Sequence, residues 1–246
     1  LEPSEHSTQM VEPEYLLRLL TELNTAFGII ANLADDLRHL QRSEIGEVQE
    51  FFSSDQVGSS TMPQKRNPWN SEHVKSLWKA YSPRVVTFYM DQISEHQRDL
   101  TNSASSRFIA EYFAGFCAAA ERMRRIVASL HVHEEALARN LSQSGEFLLA
   151  EAAYVLLATS GLSDAHETVR QATLRCEEEG ISLSEALKSD SELWKLLEDG
   201  LARTIGTDAG EFFSRPENYR GRAAEKTDEI TERYRAIMDE LTEELS

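Results

Sequence analysis

Cysteine is nearly absent: the 246 residues hold two, Cys117 and Cys176, each inside a helical pattern and without CxxC spacing. This makes a disulfide framework and a zinc site both poor readings, so two buried thiols are expected. Proline (6) and glycine (11) are also scarce. No convincing strand alternation, internal repeat or low-complexity tract is visible. No run of about 18 apolar residues would span a membrane, and there is no charged-then-apolar leader with a cleavage site; a cytoplasmic protein is expected. Basic charge is short as well. Twenty-five Lys and Arg against 42 Asp and Glu leave a formal charge of -17, which argues against the basic footprint of nucleic-acid binding. An anionic ligand would have to be met by a local cluster of Arg and Lys in an acidic molecule.

What remains, 41% hydrophobic and 27% charged residues, is the composition of a soluble, helix-rich globular protein with room for one large domain or two smaller ones. From Glu14 to about Arg42 the apolar residues Leu16, Leu20, Leu23, Phe27, Ile30, Leu33, Leu37 and Leu40 recur at steps of three and four. This predicts one long amphipathic helix, with Pro13 at a tolerated first-turn position. Val74, Leu77, Trp78, Tyr81, Val85 and Phe88 predict a second helix that Pro83 kinks or opens. A third runs from Phe108 to Leu130, where Ala114, Gly115, Ala118, Ala119 and Ala120 predict close helix–helix packing. Residues 134–140 and 146–159 continue helical, the latter buried on most sides. Beyond Gly161 shorter charged helices are expected, with Ser163 and Ser182 as caps, Gly200, Gly206 and Gly210 marking connections, and a solvent-rich helix over 227–245. The fold expected is all-α: a long-helix bundle over residues 1–160 and a smaller helical domain over 161–246. Seams of such length need partners, so self-association is expected.

Between the first two helices lies Gly58-Ser59-Ser60-Thr61-Met62-Pro63-Gln64-Lys65-Arg66-Asn67-Pro68. Glycine frees its leading edge to move and makes Gly58 a hinge candidate; proline fixes φ near its end. Between them stand two hydroxyls, a lysine and an amide, an inventory suited to a carboxylate beside an ionising C–H bond. A polar interruption from Ser94 to Ser103 precedes the third helix. There Arg98, Ser103 and Arg107 offer forked guanidinium donors and a hydroxyl that suit a phosphate or carboxylate. The plainer alternative is a solvated helix start with Arg98 paired to Asp99 or Glu95. Antiparallel helices would carry these two polar segments far apart within one chain, and a symmetric oligomer could bring them together. His131 and His133 form an H-x-H pair without a third ligand at metal spacing, so a helix terminus is expected there and no metal.

The loop GSSTMPQKRNP is very similar to the signature loop of the fumarase/aspartase superfamily, whose members eliminate fumarate from substituted succinates or run a related cycloisomerisation. Arg66, the run from Leu37 to Val48, QRDLTNSASSR from Gln97 to Arg107, Ser7-Thr8-Gln9 and the run from Phe213 to Tyr219 resemble the adenylosuccinate lyase family within it. The resemblance covers essentially the whole chain. It implies a long-helix bundle, a homotetramer with sites built from three chains, no metal or organic cofactor, and a succinyl nucleotide as the anionic substrate. It further implies Ser59 as general base, Lys65 and Asn67 as holders of the succinyl carboxylate, and Arg98, Ser103 and Arg107 on the phosphate side. Gln9 becomes a substrate contact. These roles make physical sense. An aci-carboxylate dianion needs preorganised donors, and serine needs a shielded cationic setting, supplied by a closing loop, to act as a base.

Two departures from the family pattern stand out. Gln64 occupies a position where adenylosuccinate lyases often carry His, and glutamine there is more like argininosuccinate lyase. The chain also opens Leu1-Glu2-Pro3-Ser4 without an initiator Met and reads as a fragment. None of the seven histidines matches the family's general acid, so the expectation is a C-terminal portion inactive alone. The alternatives are a related enzyme such as argininosuccinate lyase or carboxymuconate cycloisomerase, or a non-catalytic helical assembly fragment.

Overall fold

Leucine, alanine and phenylalanine at helical spacing set the first element. Helix α1, Glu14–Leu40, puts Leu17, Leu20, Phe27, Ala31, Ala34 and Leu37 on its buried face. Its 27 residues span about 40 Å, and this length sets the scale of everything that follows. The computed structural model describes residues 5, 11–53, 58, 60–62, 64–95 and 100–245, Ser144 and Glu146 by backbone only.

The second arm is split as Pro83 demands. Helix α2, Trp69–Tyr81, closes with the Ser82 N–H donating to the Trp78 carbonyl at 2.8 Å, and α3, Arg84–Met90, begins just beyond the proline. Helix α4, Phe108–Ala128, completes the layer. Two apolar clusters fix the directions. Leu17, Leu20, Phe88 and Tyr112 pack together, and Tyr112 Oη donates to Asn24 Oδ1 at 3.0 Å. Further along, Phe27, Ala34, Leu37, Val74, Met123 and Ile126 form the second cluster. The N-terminal halves of α1 and α4 therefore lie together and so do their C-terminal halves, while α2 and α3 run back between them. The expected close approach is present: a Cβ on Gly115 would sit 2.4 Å from the Tyr81 ring.

Two strands that the sequence did not announce tie this unit off. Val48–Gln49 (β1) pairs antiparallel with His131–Val132 (β2), Val48 opposite Val132 and Gln49 opposite His131. The His133 N–H donates to the Glu47 carbonyl at 2.9 Å. Two residues are too few to show an alternating period. His131 thus lies in a strand rather than at a helix terminus, whereas His133 directly precedes α5, Glu134–Ser144.

The compact units are Leu1–Leu137 and Ala138–Ser246, so the division falls within α5 rather than at 160. The reason is packing: Leu149, Ala152, Ala153, Leu156 and Leu157 share a core with Val169, Leu187, Leu197, Leu201 and Phe213. The second unit comprises α6, Ala150–Thr159, α7, Ala165–Glu179, α8, Leu183–Lys188, α9, Ser191–Thr204, α10, Ala209–Ser214, and α11, Ala223–Leu245. Helix α11 buries none of its residues.

Ser182 caps α8 in a reciprocal capping box with Glu185. Ser163 does not cap α7; Asp164 stands at that position, without a side-chain cap. Gly206, at φ 68, ends α9 as expected, but Gly200 and Gly210 lie inside helices. At Gly200 a Cβ would come 3.2 Å from Leu156, so the small residue admits a neighbour rather than a turn. Cys176 is buried, and its thiol donates to the Ala172 carbonyl at 3.1 Å. Cys117, expected inside, is exposed. Among the described residues the architecture is all-α apart from the strand pair. Among the described residues no helix is long and apolar enough to cross a membrane.

Candidate active site

The polar loop hangs between the C-terminal end of α1 and the start of α2, and a side-chain amide stitches its base. Gln41, at the C-cap of α1, donates from Nε2 to the Arg66 carbonyl at 3.3 Å and accepts the Glu50 N–H at 2.9 Å. The loop also closes on itself. Asn67 Nδ2 donates to the Gly58 carbonyl at 2.7 Å, and the Lys65 N–H donates to the Met62 carbonyl at 3.0 Å. Gly58 is needed here for closeness: a Cβ on it would lie 1.9 Å from the Lys65 carbonyl oxygen. The Arg66 guanidinium stacks 4.1 Å above the Phe52 ring.

This chain segment walls an open cavity of about 650 Å³ whose lining includes Arg38, Arg42, Lys65, Arg66, Glu72 and His133. Lys65 is exposed and Asn67 half-buried. Four cationic side chains face Glu44 and Glu72 there, so the groove is locally basic in a chain of formal charge -17. An anion meets favourable field at such a place. Arg38 is held by Asp35, whose carboxylate also accepts from Lys75 at 2.6 Å. The hydrogen bonds from Lys75 and then Arg38 bring the Asp35 carboxyl down to about 2. The site is thus framed by fixed rather than roaming charges.

Ser103 and Arg107 stand elsewhere. Both are exposed; the Ser103 N–H donates to the Leu100 carbonyl at 3.1 Å, and Arg107 ends the 3-10 turn Ser105–Arg107 before α4. Asp91 organises this corner, accepting from Asn102 Nδ2 at its carbonyl (2.8 Å) and from Ser105 Oγ at its carboxylate (2.7 Å). A cavity of about 210 Å³ beside it is lined by Leu16, Leu17, Leu20, Asn102, Ser106 and Ile109, which places the corner at the start of α1. Lys65 and Asn67 therefore lie roughly 35 Å from Ser103 and Arg107 along α1, counted from Leu17 to Gln41 at the helical rise. Within one chain the structure does not bring these groups together. Ser59, Gln9 and Arg98 lie outside the described residues.

Several lining residues escaped sequence reasoning. Arg38 and Arg42 lie in the run from Leu37 to Val48 that carries the family resemblance but are given no role of their own by it, and Glu72 is not singled out. His133 reaches the cavity through the strand pairing. The signal that could have found Arg38 is its i+3 spacing from Asp35, a fixed ion pair on the same helix face. The rings of His131 and His133 meet edge to face at 4.4 Å. Among the described residues no group of three or more His, Cys, Asp or Glu could hold a metal ion.

The profile of the adenylosuccinate lyase C-terminal region matches residues 94–203, and a general lyase profile matches residues 2–79. Among characterised proteins, the adenylosuccinate lyase of Pyrococcus abyssi is 32% identical over 233 residues, covering 94% of this chain and 50% of that one. The enzyme of the same name from Pyrococcus horikoshii is 33% identical over 235 residues, with the same coverage. That of Archaeoglobus fulgidus is 32% identical over 233 residues, covering 94% of this chain and 51% of its own length. The chain spans about half the length of these relatives. Among solved structures, a 3-carboxy-cis,cis-muconate lactonizing enzyme from Pseudomonas putida superposes with a TM-score of 0.69 at 24% identity, over 91% of this chain and 48% of that one. A fumarate lyase from Mesorhizobium sp. BNC1 gives 0.68 at 20%, over 89% and 47%. These two share the fold.

Proposed function

The chain belongs to the adenylosuccinate lyase family of the fumarase/aspartase superfamily, and on that premise we propose that it serves in a lyase releasing fumarate from adenylosuccinate and from succinyl-aminoimidazole carboxamide ribotide. The observation that carries this reading is the basic groove beside the polar loop, with Arg38, Arg42, Lys65 and Arg66 on its lining in a strongly acidic chain. A dicarboxylate arm fits that charge.

In the proposed reaction Ser59 takes the proton from the carbon next to a succinyl carboxylate. Charge then builds on that carboxylate as an aci-dianion, and Lys65 and Asn67 hold it. Collapse of the dianion breaks the C–N bond, the leaving nitrogen takes up a proton, and fumarate departs. Arg98, Ser103 and Arg107 bind the nucleotide phosphate, and Gln9 contacts the substrate. The loop closes over the site with Gly58 as its hinge. These steps draw on acid–base chemistry and fixed charge alone, with no cofactor. The roughly 35 Å between the two groups, from the helical rise, favours a site shared between chains, and a homotetramer is the assembly we propose. Purine nucleotide synthesis in the cytoplasm is the setting that goes with such a substrate.

The test is fumarate release in the complete protein. Ser59→Ala should abolish turnover of adenylosuccinate while leaving the helical circular-dichroism spectrum intact; unchanged turnover would remove Ser59 from its role. Activity on argininosuccinate or a carboxymuconate, with none on adenylosuccinate, would overturn the substrate assignment.

A further inference from the structure

Glu50 is a carboxylate where none is cheap to keep. It is 6% exposed and lies outside the lining of the basic groove. Its two oxygens accept four hydrogen bonds. Oε1 takes the Ser71 N–H at 2.8 Å and Ser71 Oγ at 2.5 Å; Oε2 takes the Asn70 N–H at 3.2 Å and Asn70 Nδ2 at 3.0 Å. Ser71 is fully buried. These partners lie in the first turn of α2, whose N-cap is Pro68, with no side-chain cap. A carboxylate from twenty residues upstream thus supplies the missing cap, with charge-assisted bonds aligned on the positive end of the helix dipole.

The bonds continue outward on both sides. The Glu50 N–H donates to Gln41, whose amide donates to the Arg66 carbonyl. Asn70 Oδ1 accepts from Arg122 Nη1 at 2.7 Å, and the Arg122 guanidinium lies 5.2 Å from the Trp69 ring centroid. One carboxylate therefore joins the segment entering the loop to the helix that leaves it, with α1 and α4 as anchors. We propose that Glu50 is a positioning residue: it clamps the base of the loop and through it the backbone that carries Lys65 and Asn67. The role in turnover rests on the lyase reading above; the clamp itself does not.

Removing the carboxylate leaves the buried Ser71 hydroxyl and N–H and the half-buried Asn70 N–H without their acceptor, a penalty the fold relieves by letting the first turn of α2 open. Two variants of the complete protein test this, Glu50→Ala and the isosteric Glu50→Gln, which keeps one carbonyl acceptor. Amide hydrogen exchange is read across α1 to α4, and steady-state kinetics are read with adenylosuccinate. With Glu50→Ala, exchange at residues 64–71 should rise about tenfold or more while that of residues 112–126 stays unchanged. The kcat should fall about tenfold or more with KM changed much less, since the groups displaced act on the developing charge. Glu50→Gln should recover part of both. Unaltered exchange at 64–71, or a rise spread evenly over all four helices, would overturn the clamp. A local rise in exchange with unchanged kcat would remove its catalytic consequence. Should the unsubstituted protein fail to turn over adenylosuccinate, a local rise in exchange would still uphold the clamp, and the lyase reading alone would fall.

Discussion

Replacing Gly58 by alanine probes the loop at its tightest point. The added Cβ would lie 1.9 Å from the Lys65 carbonyl oxygen, 3.0 Å from its carbon and 3.4 Å from Phe52 Cζ. Relief to ordinary contact distance requires a displacement of roughly 1.5 Å. The obstructing atoms are backbone, so no rotamer change can supply it. The strands of the loop must part, stretching the 2.7 Å bond from Asn67 to the Gly58 carbonyl and carrying Lys65 with them. The cost to stability is about that of one hydrogen bond, roughly 1 kcal/mol. A misplacement of about 1 Å at catalytic groups costs on the order of 100-fold in rate, or about 2.7 kcal/mol in the barrier. If the proposed lyase reading holds, Gly58→Ala in the complete protein should therefore lower kcat/KM for fumarate release by about two orders of magnitude and shift the thermal midpoint by a few degrees at most. Fumarate release measured beside a thermal melt separates the two effects. If kcat/KM stayed within about threefold of the unsubstituted value, the close approach of Gly58 to Lys65 would have no place in the working conformation.

Three other outcomes follow from packing and charge. Gly115→Ala in α4 drives a methyl to 2.4 Å from the Tyr81 ring and should destabilise by about 1–2 kcal/mol even after the helical gain of alanine. Gly28→Ala in α1 meets only Trp78 Nε1 at 3.8 Å and should stabilise by roughly 0.5–1 kcal/mol; urea midpoints in the opposite order would refute the packing. Asp35 titrates at about 2 in the fold against 3.8 ordinarily, so its ion pairs with Lys75 and Arg38 add stability above pH 4 that is lost as pH falls towards 2. Melts of Asp35→Asn should lie below the parent at pH 5 and converge with it near pH 2, whereas curves parallel throughout would count against the assignment. Ser182→Ala removes the capping box of α8 and should cost about 1 kcal/mol, seen as a lowered denaturation midpoint.

Much of this molecule was legible because its helices obey local rules. The period from Leu16 to Leu40 marked α1, Pro83 marked the break between α2 and α3, and Ser182 with Glu185 three residues on marked a cap. Ser163 failed because it stands one residue before the N-cap position, which Asp164 occupies at φ -109 and ψ 25, outside the extended entry in which a side chain caps. Gly200 and Gly210 look like punctuation until their neighbours are known. The composition shift near Gly161 is real, but the unit division follows Leu149 to Leu157, whose partners come later in the chain. The loop could be singled out from its inventory alone. What could not be read was how it is held, because the cap on α2 comes from Glu50, twenty residues away, and no spacing rule reaches that far.

The layout of α1 also has a consequence for inheritance. Lys65 and Asn67 lie at one end of it and Ser103 and Arg107 at the other, so if chains share the site as proposed, a chain damaged at one end would still lend an intact contribution from the other. Two alleles that each fail alone would then rescue one another in the same cell when their lesions fall at opposite ends, and would not when both fall at the same end. The severity of a substitution would be a property of the pair of chains that meet, rather than of the residue that was changed.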